Sequence, residues 1–163
     1  MFLDSFAFLS LSLDTLAKNL TREQFINTLG DISLTQNQQN LILKKGVYPY
    51  EYMDDAKKFA ETQLPSIDKF YSSLSEENIT EDDYSHALDV WNEFGIKNLG
   101  EYHDLYLKTD VLLLTDIFEN FRKVAMKFYD IDPANNYFTL PNFAWHAILK
   151  MTEIELEQLT IIH

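Results

Sequence analysis

Tyr106 and Asp110 stand four residues apart in a stretch, 99–129, whose apolar residues recur at helical spacing. Four residues of α-helix turn ~400° and rise ~6 Å, so a phenol and a carboxylate would project from one face, one turn apart. That arrangement suits a carboxylate holding a divalent metal while a phenol orients an attacking water. Asp110 is also locally odd. Its helical neighbours are Tyr106, Leu107, Leu113 and Leu114, none of them charged, so the carboxylate is expected to be partly desolvated. It then needs a cation, a metal or several donors. The pair is also compatible with a plain structural role, in which Asp110 pairs with a lysine or caps a loop. Asp116, beside Glu119 and Asn120, and Asp104, one turn before Lys108, are read as solvated acids.

Other chemistries find less support. His86, His103, His146 and His163 form no His-x-x-x-His pair, which argues against zinc. His146, next to Trp145, is expected to pack or lie at the surface. The acidic 76–83 run lacks the turn glycine of an EF-hand loop. There is no Gly-rich phosphate loop, no Gly-x-Ser-x-Gly elbow and no Walker lysine. Tyr48, Tyr50 and Tyr52 could stack bases, but Glu51, Asp54 and Asp55 adjoin them, which favours an aromatic patch over a core.

The elements that must position these residues are mostly helical. Leu107, Val111, Leu114, Phe118, Phe121, Ala125 and Phe128 alternate spacings of four and three, predicting a helix over 99–129 with this seam as its apolar face. Asp132-Pro133 ends it, and Pro141 suits the first residue of a last helix reaching about Met151. Thr80, with Asp83 three residues on, resembles a capping box and would open a helix closed by Gly95. Ser12 would cap a helix over 13–20, and further helical pieces are predicted over 21–29 and 36–45. Pro49 keeps the 47–52 segment extended. Phe2, Phe6 and Phe8 on one face, with Leu3, Ala7 and Leu9 on the other, predict a short buried strand. The expected class is mainly α with one or two short strands.

The chain has 163 residues, 46 % of them hydrophobic, the length of one ordinary domain with enough apolar surface for a core. Its charge is lopsided at −13. Between 51 and 104, 14 acidic residues face four lysines, so this block holds −10 of the total. Such a block reads as a solvated, insertion-like segment, placed over 51–97. A field of this sign repels phosphate, so the chain by itself should bind DNA poorly. The absence of cysteine excludes disulfides, thiolate zinc sites and a Cys nucleophile. No apolar run exceeds four residues, against the ~20 needed to span a bilayer, and the 1–13 start has no basic leader. These features predict a soluble, intracellular chain without membrane partners.

Order along the chain adds a resemblance. Lys45-Gly-Val-Tyr-Pro-Tyr-Glu-Tyr52, Glu61-Thr-Gln-Leu-Pro65, Phe70-Tyr-Ser-Ser-Leu74, Asp83-Tyr-Ser-His-Ala87 and Val90-Trp91 lead into Tyr102-His-Asp-Leu-Tyr-Leu-Lys-Thr-Asp-Val-Leu-Leu-Leu114. This succession resembles the protein-primed family B DNA polymerases of self-synthesising (Maverick or Polinton) transposons and related viral and organellar elements. Phe2-Leu-Asp-Ser-Phe6, Ser12-Leu-Asp-Thr-Leu16, Leu140-Pro141, Trp145 and Leu149-Lys-Met-Thr152 add to it.

The resemblance implies the C-terminal part of a 3′→5′ exonuclease domain over 1–131, a partial ribonuclease H-like α/β fold, with 132–163 a helical connection toward a polymerase palm. Tyr106-Leu-Lys-Thr-Asp110 matches the third exonuclease motif. Asp110 would then hold a catalytic Mg²⁺, Tyr106 would position the water, and Ser12 and Leu13 would help hold single-stranded DNA. The first two exonuclease motifs would precede Met1, and no polymerase motif or terminal-protein loop is found, so the chain alone is expected to be catalytically incomplete. The intact parent would replicate the DNA of a mobile or viral element, using DNA, deoxynucleotides, Mg²⁺ and a primer terminal protein; the compartment is intracellular, the nucleus being one option left open. The alternative is a non-catalytic, transposon-derived helical module that binds another protein through its acidic segment.

Overall fold

A computed structural model describes residues 4–135 and 137–156. Five α-helices occur among them: α1 (Leu13–Ala17), α2 (Gln36–Ile42), α3 (Glu81–Glu93), α4 (Leu99–Tyr129) and α5 (Leu140–Thr152), with short 3₁₀ turns between some of them. The fold is mainly helical. The described residues contain no strand; the sole bridge pairs Ser72 with Glu77. None of the described helices is long and apolar enough to cross a membrane.

The expected strand near the start is a correction. Residues Ser5–Ala7 form a 3₁₀ turn, because the Asp4 carboxylate accepts the Phe6 N–H at 3.0 Å and closes the backbone locally. Its predicted single face also splits, with Phe8 1 % exposed and Phe6 62 %. Phe2 and Leu3 lie outside the described residues.

The local signals of the helices act as their chemistry dictates. Thr80 Oγ1 accepts the Asp83 N–H at 3.1 Å and starts α3. The Asp83 side chain does not reach back to the Thr80 N–H as a glutamate would; it meets the Thr80 hydroxyl at 2.8 Å and Lys44 Nζ at 2.8 Å. Gly95, with φ +61°, closes α3 in a Schellman motif: Gly95 N–H donates to Asn92 O and Ile96 N–H to Trp91 O. A full capping box opens α2, where Thr35 Oγ1 accepts from Gln38 N–H and Gln38 Oε1 accepts from Thr35 N–H.

Two compact units divide the chain, residues 12–117 and residues 1–11 with 118–163. The larger unit has a core in which α3 and α4 meet the 47–52 segment: Ala87, Ile96 and Tyr102 are buried, with Tyr48, Val90, Trp91 and Leu105 packed on them. Here α4 turns a different face inward from the predicted seam. Tyr102, Leu113, Asp116 and Ile117 are buried, whereas Leu107 is 52 % and Val111 55 % exposed. The smaller unit is aromatic. Phe143 of α5 meets Phe121, Tyr129 and Tyr137 edge-on at 5.6–5.9 Å between ring centroids. Arg122 ties its turn together, donating through Nε and Nη2 to Asp132 at 2.9 and 2.5 Å and through Nη1 to Glu119 at 2.5 Å.

Candidate functional site

In the first half of α4, which belongs to the larger unit, Tyr106 and Asp110 lie one turn apart on one continuous helix. The Tyr106 ring stacks on Tyr48 at 5.0 Å, and its hydroxyl shares a 2.6 Å hydrogen bond with the Tyr50 hydroxyl. Tyr48 in turn meets His103 Nδ1 through its own hydroxyl at 2.8 Å. The aromatic 47–52 segment is therefore the packing partner of α4, as the acidic residues around it suggested.

Asp110 is half-buried, and its Oδ1 is enclosed without a hydrogen-bond partner. Burial pushes its carboxyl above the ordinary range, opposed by the positive field of Lys45 and by the Tyr106 hydroxyl, which can donate to it while accepting from Tyr50. Burial also raises the Tyr106 phenol far above its usual value, helped by the Tyr50 hydrogen bond and the charge of Asp110. Tyr106 therefore stays protonated and can orient a polar partner but not abstract a proton. Tyr106, but not Asp110, lines a cleft of about 470 Å³ together with Lys18, Lys44, Lys45, Tyr48 and Tyr50. Lys18 is paired with Asp14 and Lys44 with Asp83, while Lys45 makes no ion pair among the described residues. An ammonium beside stacked rings, here shared only with the field of Asp110, is suited to an anionic, planar ligand.

Ser12 and Leu13 are placed differently. The Ser12 hydroxyl caps α1, accepting from Thr15 N–H at 3.2 Å and contacting Thr15 Oγ1 at 2.8 Å. Asp14 of this helix and Lys18 at its end, rather than Ser12 or Leu13, line the cleft.

The structure corrects the reading of Asp116. Far from being solvated, it is 2 % exposed and is the most fully engaged acid of the larger unit. Its Oδ1 accepts the Asn27 N–H and side-chain N–H at 2.8 Å each, and Oδ2 accepts the Thr28 N–H at 2.8 Å. Burial alone would raise its carboxyl, but these donors outweigh that and hold it below the ordinary range. Asp116 is a structural clamp on the 27–28 backbone. The available signal was its spacing from Leu113, three residues earlier on the face that turns inward.

Fit to a divalent ion is partial. Asp110 contributes one unpartnered carboxylate oxygen, but no group of three His, Asp or Glu side chains gathers among the described residues. His146 Nδ1 meets the Tyr137 hydroxyl, and His163 lies outside the described residues. No family model, no curated protein and no solved structure matches this chain.

Proposed function

We propose that this chain is part of the 3′→5′ proofreading exonuclease region of a protein-primed family B DNA polymerase, its helices forming the helical portion of a ribonuclease H-like domain. The observation that carries the reading is the enclosed, unpartnered Oδ1 of Asp110, one helical turn from the Tyr106 phenol and within the field of Lys45. A desolvated carboxylate of this kind is an expensive arrangement unless a cation or substrate completes it. In this reading Asp110 would be one of several carboxylates holding a metal, Tyr106 would orient a water at the terminal phosphodiester, and the cleft of Lys45, Tyr48 and Tyr50 would receive the single-stranded end.

The donors in this chain do not fit a Mg²⁺ site by themselves, because a two-metal clamp needs several carboxylates. No catalytic step through the ion is therefore assigned to the chain alone. The remaining carboxylates, the deoxynucleotide site and the contacts to a primer terminal protein would belong to the rest of the parent polymerase.

The test compares two proteins on 5′-labelled single-stranded DNA with Mg²⁺. The chain alone is expected to leave the DNA intact. The chain extended in frame by its flanking coding sequence is expected to shorten it from the 3′ end, with Asp110→Ala lowering the rate by about 10²–10⁴ and Tyr106→Phe by less. Full activity of the extended Asp110→Ala protein would overturn the assignment of Asp110. Digestion by the isolated chain, abolished by Asp110→Ala, would overturn its incompleteness.

A further inference from the structure

Helix α5 is apolar on two sides, and its own unit covers only one of them. Phe143 and Ala147 are buried in the aromatic core of the smaller unit. On the outward side Leu140, Trp145, Ile148 and Met151 are 40–64 % exposed, with Ala144 half-buried among them. At ~100° per residue these five span an arc of about 140°, Leu140, Ala144, Ile148 and Met151 in one row and Trp145 along its border. A helix apolar over so much of its surface is normally covered on both sides.

The arc carries no charge. Apart from His146, the one ionisable side chain of α5 is Lys150, and Asp130 holds its ammonium away from the arc, through the backbone O at 2.8 Å and Oδ2 at 3.0 Å. Just beyond the helix, Ile154 and Leu156 are also more than half exposed. Together these side chains offer roughly 500–600 Å² of apolar surface, the upper end for the largest patch of an ordinary monomer. Two such faces in contact would bury about 1,000–1,200 Å², the lower edge of stable interfaces.

The arc also fits its own image. In an antiparallel pair with Ala144 of one helix opposite Ile148 of the other, the small residue leaves room for the branched one, and Leu140 and Pro141 meet Thr152 and Met151. The same sense carries Glu153 and Glu155, which follow α5, toward the positive N-terminal end of the partner helix. A parallel pair would instead bring those four carboxylates together. We propose that α5 pairs with α5 of a second copy of this chain, antiparallel, about a two-fold axis between Ala144 and Ile148. The pairing is independent of the nuclease reading, since it uses no residue of the Tyr106–Asp110 face.

Sedimentation equilibrium of the full chain from about 5 to 500 µM tests it. A monomer–dimer equilibrium with a Kd of about 10–100 µM is expected, weak because the interface is small and each copy carries −13. Ile148→Glu alters an exposed position, should leave the circular dichroism unchanged and should raise Kd about tenfold or more. Leu74→Glu adds the same charge at a leucine 97 % exposed in the larger unit and should leave Kd within about twofold. In wild type mixed from ¹³C-labelled and unlabelled chains, isotope-filtered NOEs should join the Met151 methyl of one copy to Pro141 and Leu140 of the other, a readout that needs no variant to fold. The proposal is overturned by a chain that stays monomeric to about 500 µM, by a Kd unmoved by Ile148→Glu, or by an equal effect of Leu74→Glu. It is equally overturned if Met151 contacts only Met151 of the other copy, if the arc gives NOEs to residues 157–163 of its own chain instead, or if the chain binds neutral phosphatidylcholine vesicles in place of pairing.

Discussion

Replacing Asp116 by Asn changes one oxygen to an NH₂ group and should destabilise the larger unit severely for so small an edit. In the native structure three donors converge on the carboxylate, each at 2.8 Å. Asn can keep one acceptor oxygen for the two Asn27 donors, but its NH₂ then faces the Thr28 N–H. That amide belongs to a residue 2 % exposed, so water cannot replace the lost partner. A hydrogen bond to a charged group contributes about 1.5–3 kcal/mol, and stranding a buried donor adds its desolvation, so the loss should be about 2–4 kcal/mol. At about 2–4 °C per kcal/mol for a chain of this size, Tm should fall by about 5–15 °C.

The pH dependence of this effect has a definite sign. The carboxyl of Asp116 is held below its unfolded value. Its contribution is therefore complete above that unfolded value of about 3.9 and is lost as pH falls through the lower folded one. Wild type and Asp116→Asn should differ fully at pH 7 and converge in acid. Urea unfolding followed by circular dichroism measures the difference, and hydrogen exchange at the Thr28 amide localises it. A loss below about 0.5 kcal/mol, the range of ordinary surface substitutions, would refute the clamp.

Three further outcomes are expected. Asp110→Asn should leave stability at pH 7 unchanged or raise it by up to about 1 kcal/mol, because it removes a charge whose desolvation outweighs the help of Lys45 and the Tyr106 hydroxyl; the gain should vanish in acid, where Asp110 is protonated in both states, and urea melts at two pH values check this. Arg122→Met should destabilise the smaller unit by about 1–2 kcal/mol, since Asp132 and Glu119 lose a forked partner, and Arg122→Lys should rescue little of it because an ammonium cannot reproduce the two-pronged contact with Asp132; thermal melts at matched salt decide. Leu107→Gln with Val111→Gln should alter stability by less than about 0.5 kcal/mol, because both side chains are more than half exposed, while reducing any association beyond the α5 pair seen by sedimentation velocity.

The sequence was legible where one element carried its own instructions. Thr80 and Gly95 bracket α3, Pro141 lies in the first turn of α5 as its second residue, and the α4 boundaries follow from periodicity and Asp132-Pro133. Asp110 stood out for the same reason, since its apolar neighbours are on its own helix. Elsewhere the decisive partner was distant or the pattern was shared. Asp116 is bound by residues 88 and 89 positions earlier, which no helical spacing reveals. Two apolar seams run along α4: over 102–117 Tyr48, stacked on Tyr102 and Tyr106, helps turn the second one inward, whereas Phe118, Phe121 and Ala125 of the predicted seam pack in the core of the smaller unit. In the 4–9 segment an alternating pattern lost to one short side chain, because the Asp4 carboxylate captured the Phe6 N–H before any neighbouring strand could.

The two aspartates of α4 carry the central claim, Asp110 open to a ligand and Asp116 closed by its own fold. A ¹³C NMR titration of the side-chain carboxyl carbons, assigned through Asp110→Asn and Asp116→Asn, measures both in one sample. Asp110 should titrate above the ordinary aspartate value of about 3.9 and Asp116 below it. The reverse order, or two values together at the ordinary one, would contradict it.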